Sequence, residues 1–422
     1  MIFKNHKLIS QNLSEIDIND QKLLLNPFDY FSRLRTESPI FRDPKTDIIS
    51  VSTYELVLSV NKQPKIFSSE MATLLKSGGV GRMDREEEAI MAQGLPWVNT
   101  MLTADPPQHS RYKKIAMKAF THPRVMEMTD YITETTHDLI DRIKSSKKVD
   151  FKKSFADQLP SIIIADMLGV PRSDIGQFQT WLEAVMVRLS STSSREARIA
   201  AAKQEIELQR YMLAAIEDRR ACPRDDVIST LVHATLAEEG DPRPLNQAEL
   251  IGIIHQIFTA GQETTAHTLT YGLYMMIRNP DQLALTKDDL SLFENLVEEA
   301  LRHLTPTQNM WRIVKEDTEL GGLSLRAGDV LLLRYGSANR DEGYFKNPEE
   351  FIITRKNAKG HLAFGAGIHT CLGMALARRE MQIAFPILFD RLKNLRLTKD
   401  TDIEFTVSML HRGIKSLLIE FD

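Results

Sequence analysis

The chain has 422 residues, 42% hydrophobic and 26% charged, long enough to bury a large core. A formal net charge of −4 is too close to neutral to imply a nucleic-acid partner or attraction to an anionic membrane. Two cysteines exclude a disulfide framework and fit a reducing cytosol.

No Gly/Ser/Pro-rich linker, internal repeat or long low-complexity run divides the chain, so a single domain over residues 1–422 is expected. The N-terminal Met1-Ile2-Phe3-Lys4-Asn5-His6-Lys7 has no apolar run behind it. Neither a signal peptide nor a membrane anchor is therefore expected, and the location reads as cytoplasmic. Short β-branched segments at 48–51, 330–333 and 415–419 read as strands of small peripheral sheets. Residues 71–101 form a long, poorly periodic, glycine-containing stretch, and loops of that length are commonly functional. After the turn Asp105-Pro106-Pro107, a helical stretch sets His109 and Lys113 on one face. Residues 126–145, 196–219 and 246–278 carry apolar residues at three- and four-residue spacing. The expected class is mainly α with minor β. Cys222, in Arg220-Ala221-Cys222-Pro223, reads as a loop thiol without a role.

The last of these helices has a plausible capping box in Asn246-Gln247-Ala248-Glu249 and a stop at Asn279-Pro280. About 32 residues lie between, roughly 48 Å of helix. Its apolar character breaks at Ala260-Gly261-Gln262-Glu263-Thr264-Thr265. Glycine costs about 1 kcal/mol relative to alanine there, and paired threonines add strain. A local rule broken inside a core helix points to function; the plain alternative is a kink with solvated polar side chains. A hydroxyl next to a carboxyl, Thr264 with Glu263, is suited to moving protons.

Glu299-Ala300-Leu301-Arg302 places a Glu–Arg pair on one helix face, where most such pairs are solvated. The most informative segment follows, Phe364-Gly365-Ala366-Gly367-Ile368-His369-Thr370-Cys371-Leu372-Gly373. It sets a cysteine among close glycines just before a helical run, where the helix dipole favours the thiolate. Such a sulfur can ligate a soft or borderline metal such as haem iron, and the glycines let a flat macrocycle approach the backbone. The plain alternative is a buried structural cysteine.

The pattern Phe-x-x-Gly-x-His-x-Cys-x-Gly resembles the haem-binding loop of the cytochrome P-450 monooxygenases. Similarity in order and spacing runs from about Asn26 to Phe421. The resemblance implies the cytochrome P-450 fold of the soluble bacterial type, with a long central helix over haem b. It makes Cys371 the axial iron ligand and puts Phe364, Ala260 and Gly261 against the cofactor. Ala260-Gly261-Gln262-Glu263-Thr264 is similar to the family's oxygen-activation motif, assigning Glu263 and Thr264 to proton delivery. His369, Arg312, His109 and Lys113 become propionate contacts, although lysine stands at 113 where the family has arginine. Glu299 and Arg302 become the structural core pair. Their third, basic partner is in doubt, because Glu350 in Pro348-Glu349-Glu350-Phe351 stands where arginine is common; Arg340 and Arg355 are candidates.

By the same correspondence residues 71–101 become a pocket lid with Trp97 and Val98 in its wall. Phe258, Gln308, Asn309, Met310 and Met409 complete a mainly apolar pocket, with an amide handle at Gln308 or Asn309. The expected substrate is a hydrophobic small molecule, terpenoid or steroid-like, hydroxylated with dioxygen. No flavin or nicotinamide domain is evident, so electrons are expected from a separate ferredoxin and its NAD(P)H-dependent reductase. Arg111, Lys113, Lys114 and Lys118 offer a basic docking cluster or an ordinary solvated face. A monomer without nucleic-acid partners is expected. Two alternatives stay open: a peroxide-driven haem hydroxylase, which would not need the Glu263–Thr264 pair, and a haem gas or redox sensor, which would need neither that pair nor a lid.

Overall fold

The computed structural model describes residues 11–70, 83–96, 98–189, 193–237, 240–399 and 402–422. The chain divides into two compact units. One comprises Met1–Ser69, Tyr131–Gln158 and Thr264–Asp422; the other comprises Glu70–Asp130 and Leu159–Glu263.

The first unit carries the strands β1 (Ile40–Arg42), β2 (Ile49–Val51), β3 (Phe67–Ser68), β4 (Lys148–Asp150), β5 (Asn309–Val314), β6 (Thr318–Leu320), β7 (Leu323–Leu325), β8 (Val330–Arg334), β9 (Arg396–Leu397) and β10 (Leu418–Glu420). Five form a sheet in the order β1-β2-β8-β5-β3. Strand β8 is central because Leu331, Leu332 and Leu333 are all fully buried, the continuous apolar run of a strand covered on both faces. It pairs parallel with β2 and antiparallel with β5, setting Arg312 opposite Leu331 and Asn309 opposite Arg334. The sheet packs on helix Tyr54–Asn61, whose Val57 and Val60 join Phe67 and Tyr335 in one apolar cluster. The strands expected at 48–51 and 330–333 are present; of 415–419, only the end belongs to β10.

The second unit is helical, and several of its helix starts carry side-chain caps. Asp84 accepts the N–H groups of Glu86 and Glu87, Ser194 that of Ala197, and Asp226 that of Ser229. Helix Arg195–Ala221 matches the expected 196–219. The expected helix at 126–145 is two, His122–Glu127 and Thr129–Lys144, with a turn at Met128.

The long helix spans Gln247–Arg278, 32 residues. Its capping box is complete, with Glu249 N–H donating to Asn246 Oδ1 at 2.9 Å and Asn246 N–H to Glu249 Oε2 at 2.8 Å. It ends where Asn279 caps the next helix, Pro280–Asp288. Helical backbone continues through residues 260–265, and just beyond, Thr268 Oγ1 donates to Thr264 O and Thr270 Oγ1 to Ala266 O. Among the described residues, no helix is long and apolar enough to cross a membrane.

Candidate functional site

In the first unit, residues 364–373 form the loop before helix Met374–Arg391. Gly365 and Gly367 sit at φ +68° and +70°, left-handed values that L side chains resist. Gly367 carries a second constraint, since a Cβ there would collide with the carbonyl oxygen of Asn61. These turns fold the chain back so that Cys371 N–H donates to Phe364 O at 2.9 Å. Cys371 is exposed, just ahead of the helix, while its chain neighbours Ile368 and Leu372 are half-buried. His369 closes a single 3-10 turn, Gly367–His369.

Arg312 is buried on β5. Its guanidinium donates to Trp311 O at 2.7 Å and to Asn61 Oδ1 at 3.1 Å, and the same Asn61 oxygen accepts from Tyr335 OH at 2.8 Å. Asn61 thus aims Arg312 and abuts the Gly367 turn. Sequence reasoning missed it, because no spacing rule links position 61 to 312.

Glu299 and Arg302 form a doubly hydrogen-bonded pair, 2.8 Å in both contacts, with both side chains fully buried. The third member is Arg355, whose Nε lies 3.0 Å from Glu299 Oε2. Arg340 turns elsewhere, to Glu349 and to the carbonyl of His303. Glu350 takes part through its backbone: its carbonyl accepts from Arg302 and Arg355. The departure at position 350 therefore leaves the cluster intact. Adjacent Glu298 has its own partners, Arg378 and His361.

Gln308 and Asn309, the expected amide handles, follow the arginine cluster in the first unit. Both are buried, with amide N–H donors turned into the scaffold. Gln308 donates to Leu304 O and Thr305 O; Asn309 donates to Met409 O and accepts from Arg334. Met310 packs on the sheet cluster, and Met409 packs against the cluster containing Tyr30 and Phe31.

In the second unit, His109 is buried near the start of helix Gln108–Met117, its N–H donating to Asp105 O, and Lys113 is half-buried one turn on. Arg111 does not join a docking face: it pairs with Asp241 at 2.5 Å and reaches Arg243 O. Ala260 is exposed within an otherwise buried stretch. Gly261 turns its bare side to Ile164, 3.4 Å from where a Cβ would stand, an ordinary contact distance. Glu263 is half-buried, as is Thr264, the first residue of the other unit. Phe258 is buried and stands edge-on to Phe178 at 4.9 Å. Val98 lines a small cavity of about 40 Å³, together with Leu95, Met212 and Ile251 and the buried polar residues Glu205 and His255. Burial pushes the His255 imidazole pKa down. Trp97 lies outside the described residues.

The family model for cytochrome P450 matches residues 70–419, and the chain belongs to that family of haem-dependent enzymes. Its class is therefore an oxidoreductase that incorporates oxygen from dioxygen, with haem b as cofactor. A steroid C26-monooxygenase of Mycobacterium tuberculosis is 35% identical over 370 residues, 88% of this chain and 93% of that protein. The 6-deoxyerythronolide B hydroxylase of Saccharopolyspora erythraea is 35% identical over 327 residues, 77% of this chain and 79% of that protein. Among solved structures, CYP109E1 from Bacillus megaterium in complex with testosterone superposes with a TM-score of 0.81 at 30% identity, covering 95% of this chain and 99% of that one.

The residues present fit haem. The porphyrin brings its own four nitrogen donors and asks the protein for an axial ligand. An exposed thiol in a glycine-turned loop at a helix start meets that request. No cluster of three or more His, Cys, Asp or Glu suited to caging an ion exists among the described residues.

Proposed function

We propose that this enzyme hydroxylates a hydrophobic small molecule of steroid, terpenoid or macrolide size, as one catalytic module over residues 1–422, acting as a monomer. Identity to the steroid C26-monooxygenase along most of both chains is the observation that carries the reading. The 6-deoxyerythronolide B hydroxylase and the testosterone-bound relative point to the same range of bulky, mainly apolar molecules.

Haem b supplies dioxygen activation when bound, and the protein's residues arrange it. Cys371 would hold the iron through its thiolate. Arg312, His369, His109 and Lys113 would neutralise the propionates, Arg312 from a guanidinium already aimed by Asn61. The Thr264 hydroxyl and Glu263 carboxyl hold and pass protons from solvent, and Ala260, exposed on the same helix, leaves room beside them. Glu299, Arg302 and Arg355 hold the scaffold. By family correspondence Trp97, Val98, Phe258, Met310 and Met409 line the substrate space, with an amide at Gln308 or Asn309. Electrons come from a separate ferredoxin and its NAD(P)H-dependent reductase, with Lys114 and Lys118 left on the exposed face.

The test is a spectral screen of steroids, terpenoids and macrolactones for the low- to high-spin shift that accompanies displacement of iron-bound water. Hits are then turned over with a ferredoxin and reductase. Product formed only with the electron donors supports the reading; product from peroxide alone, or spin shifts confined to small polar compounds, would overturn it. Thr264→Ala is expected to divert electrons to peroxide at unchanged haem content; unaltered coupling would remove Thr264 from proton delivery.

A further inference from the structure

Two glutamates stand side by side on helix Leu292–Leu304. Successive helical residues point about 100° apart, so they serve different partners. Glu299 belongs to the arginine cluster described above. Glu298 is fully buried and takes Arg378 in a two-pronged pair, Nε to Oε1 and Nη2 to Oε2, both 2.7 Å. His361 Nε2 lies 3.2 Å from the same carboxylate. The His361 tautomer follows from its other nitrogen: Nδ1 accepts the N–H of Ala363 at 3.1 Å, so Nε2 carries the proton and faces the carboxylate. Burial pushes the His361 pKa down, in keeping with a neutral ring. The trio therefore has no net charge, one carboxylate balanced by one guanidinium.

Both partners of Glu298 converge on Phe364. The Arg378 guanidinium lies over its ring, 4.8 Å from the centroid. The His361 ring stands 5.6 Å away, tilted by 47°. Phe364 in turn supplies the carbonyl that accepts Cys371 N–H. A continuous chain of contacts thus runs from Glu298 through Arg378 and His361 to the Phe364 ring, and through its backbone to the cysteine.

We propose that Glu298, with Arg378 and His361, is a positioning device for Cys371: it fixes the Phe364 ring and the hydrogen bond that closes the sulfur loop, and so sets how strongly the thiolate donates to iron. This rests on Cys371 being the haem ligand. The three residues touch neither substrate nor iron; they act through Phe364. A guanidinium fits the role better than an ammonium, because only its planar fork can hold two carboxylate oxygens and lie flat on a ring.

The test uses the purified holoenzyme and two readouts apart from turnover. One is the reduction potential; the other is the lifetime of the red-shifted Soret band of the reduced carbon monoxide adduct in mild denaturant. Glu298→Gln keeps the side-chain shape but loosens both groups that hold the Phe364 ring, and the potential should rise. Arg378→Lys keeps the charge but loses the fork, and the band should decay about tenfold faster, as for one lost charge-assisted hydrogen bond. Arg378 is partly exposed, so this variant preserves the fold even if Glu298→Gln fails to accumulate. In a Phe364→Leu background, Glu298→Gln should add nothing further, since both act on one path. Parent-like potential in Glu298→Gln, parent-like band lifetime in Arg378→Lys, or full additivity with Phe364→Leu would overturn the proposal. Cys371→Ala separates it from its premise: survival of the red-shifted band in that variant defeats the ligand assignment itself, whereas its loss beside silent Glu298 and Arg378 variants defeats only the positioning role.

Discussion

Asn61 shows how one carboxamide can govern several parts of a site. Its oxygen takes donors from Arg312 and Tyr335, its side-chain nitrogen donates to Val57 O at 2.8 Å, and its backbone carbonyl faces the Gly367 turn. Asn61→Ala leaves the Arg312 and Tyr335 donors buried without that acceptor, a loss of about 1–3 kcal/mol. Thermal melts should show that loss, and haem should transfer faster to an apo-globin acceptor; parent-like transfer would detach Asn61 from Arg312's role. Glu298 makes a pH prediction. Burial alone would raise its carboxyl, but hydrogen bonds from His361 and Arg378 outweigh burial and hold its pKa down to about 2, from 4.5. A depressed folded value means the stabilisation is present above the unfolded pKa and disappears as pH falls from about 4.5 toward 2. Roughly 3 kcal/mol is at stake. Melting midpoints of the parent and Glu298→Gln should therefore converge over that window. A constant gap between them would mean the carboxylate is not held as described.

Among elements, the central helix was the most legible from sequence, since its capping box, its length and its stop at Asn279-Pro280 all follow from local chemistry. Asn246→Ala should cost about 1 kcal/mol by unseating Glu249 as well as the cap, measurable as a shift in denaturant midpoint at unchanged slope. The Cys371 loop was legible for a related reason, because its glycines mark left-handed turns wherever they occur. Roles that depend on distant pairing were not. That the amide nitrogens of Gln308 and Asn309 serve backbone carbonyls of the surrounding bends is an example. The approach of Ile164, on helix Gln158–Met167, to the bare side of Gly261 is another. The identity of Arg355, rather than Arg340, beside Glu299 likewise depends on the path of residues 340–355, which no local rule fixes.

At the scale of the whole chain, the mainly helical class and the small sheets were read correctly, because periodicity over long windows reports on burial. The order β1-β2-β8-β5-β3 was beyond reach, since it joins residues near 50 to residues near 330 across most of the sequence. The helical unit adds buried charge that spacing could not reveal: Glu87 lies between Arg188 and Arg198, and Arg188 also reaches Glu205, tying helix Arg85–Met91 to helices Ile175–Leu189 and Arg195–Ala221.

The cysteine inventory turns the molecule into its own counting assay. Cys222 and Cys371 are both exposed. A thiol-alkylating reagent should add two adducts per polypeptide to haem-stripped protein and one to the reconstituted form, with Cys222 marked in both. Two adducts on the reconstituted form, read by intact mass, would place iron on some atom other than the Cys371 sulfur.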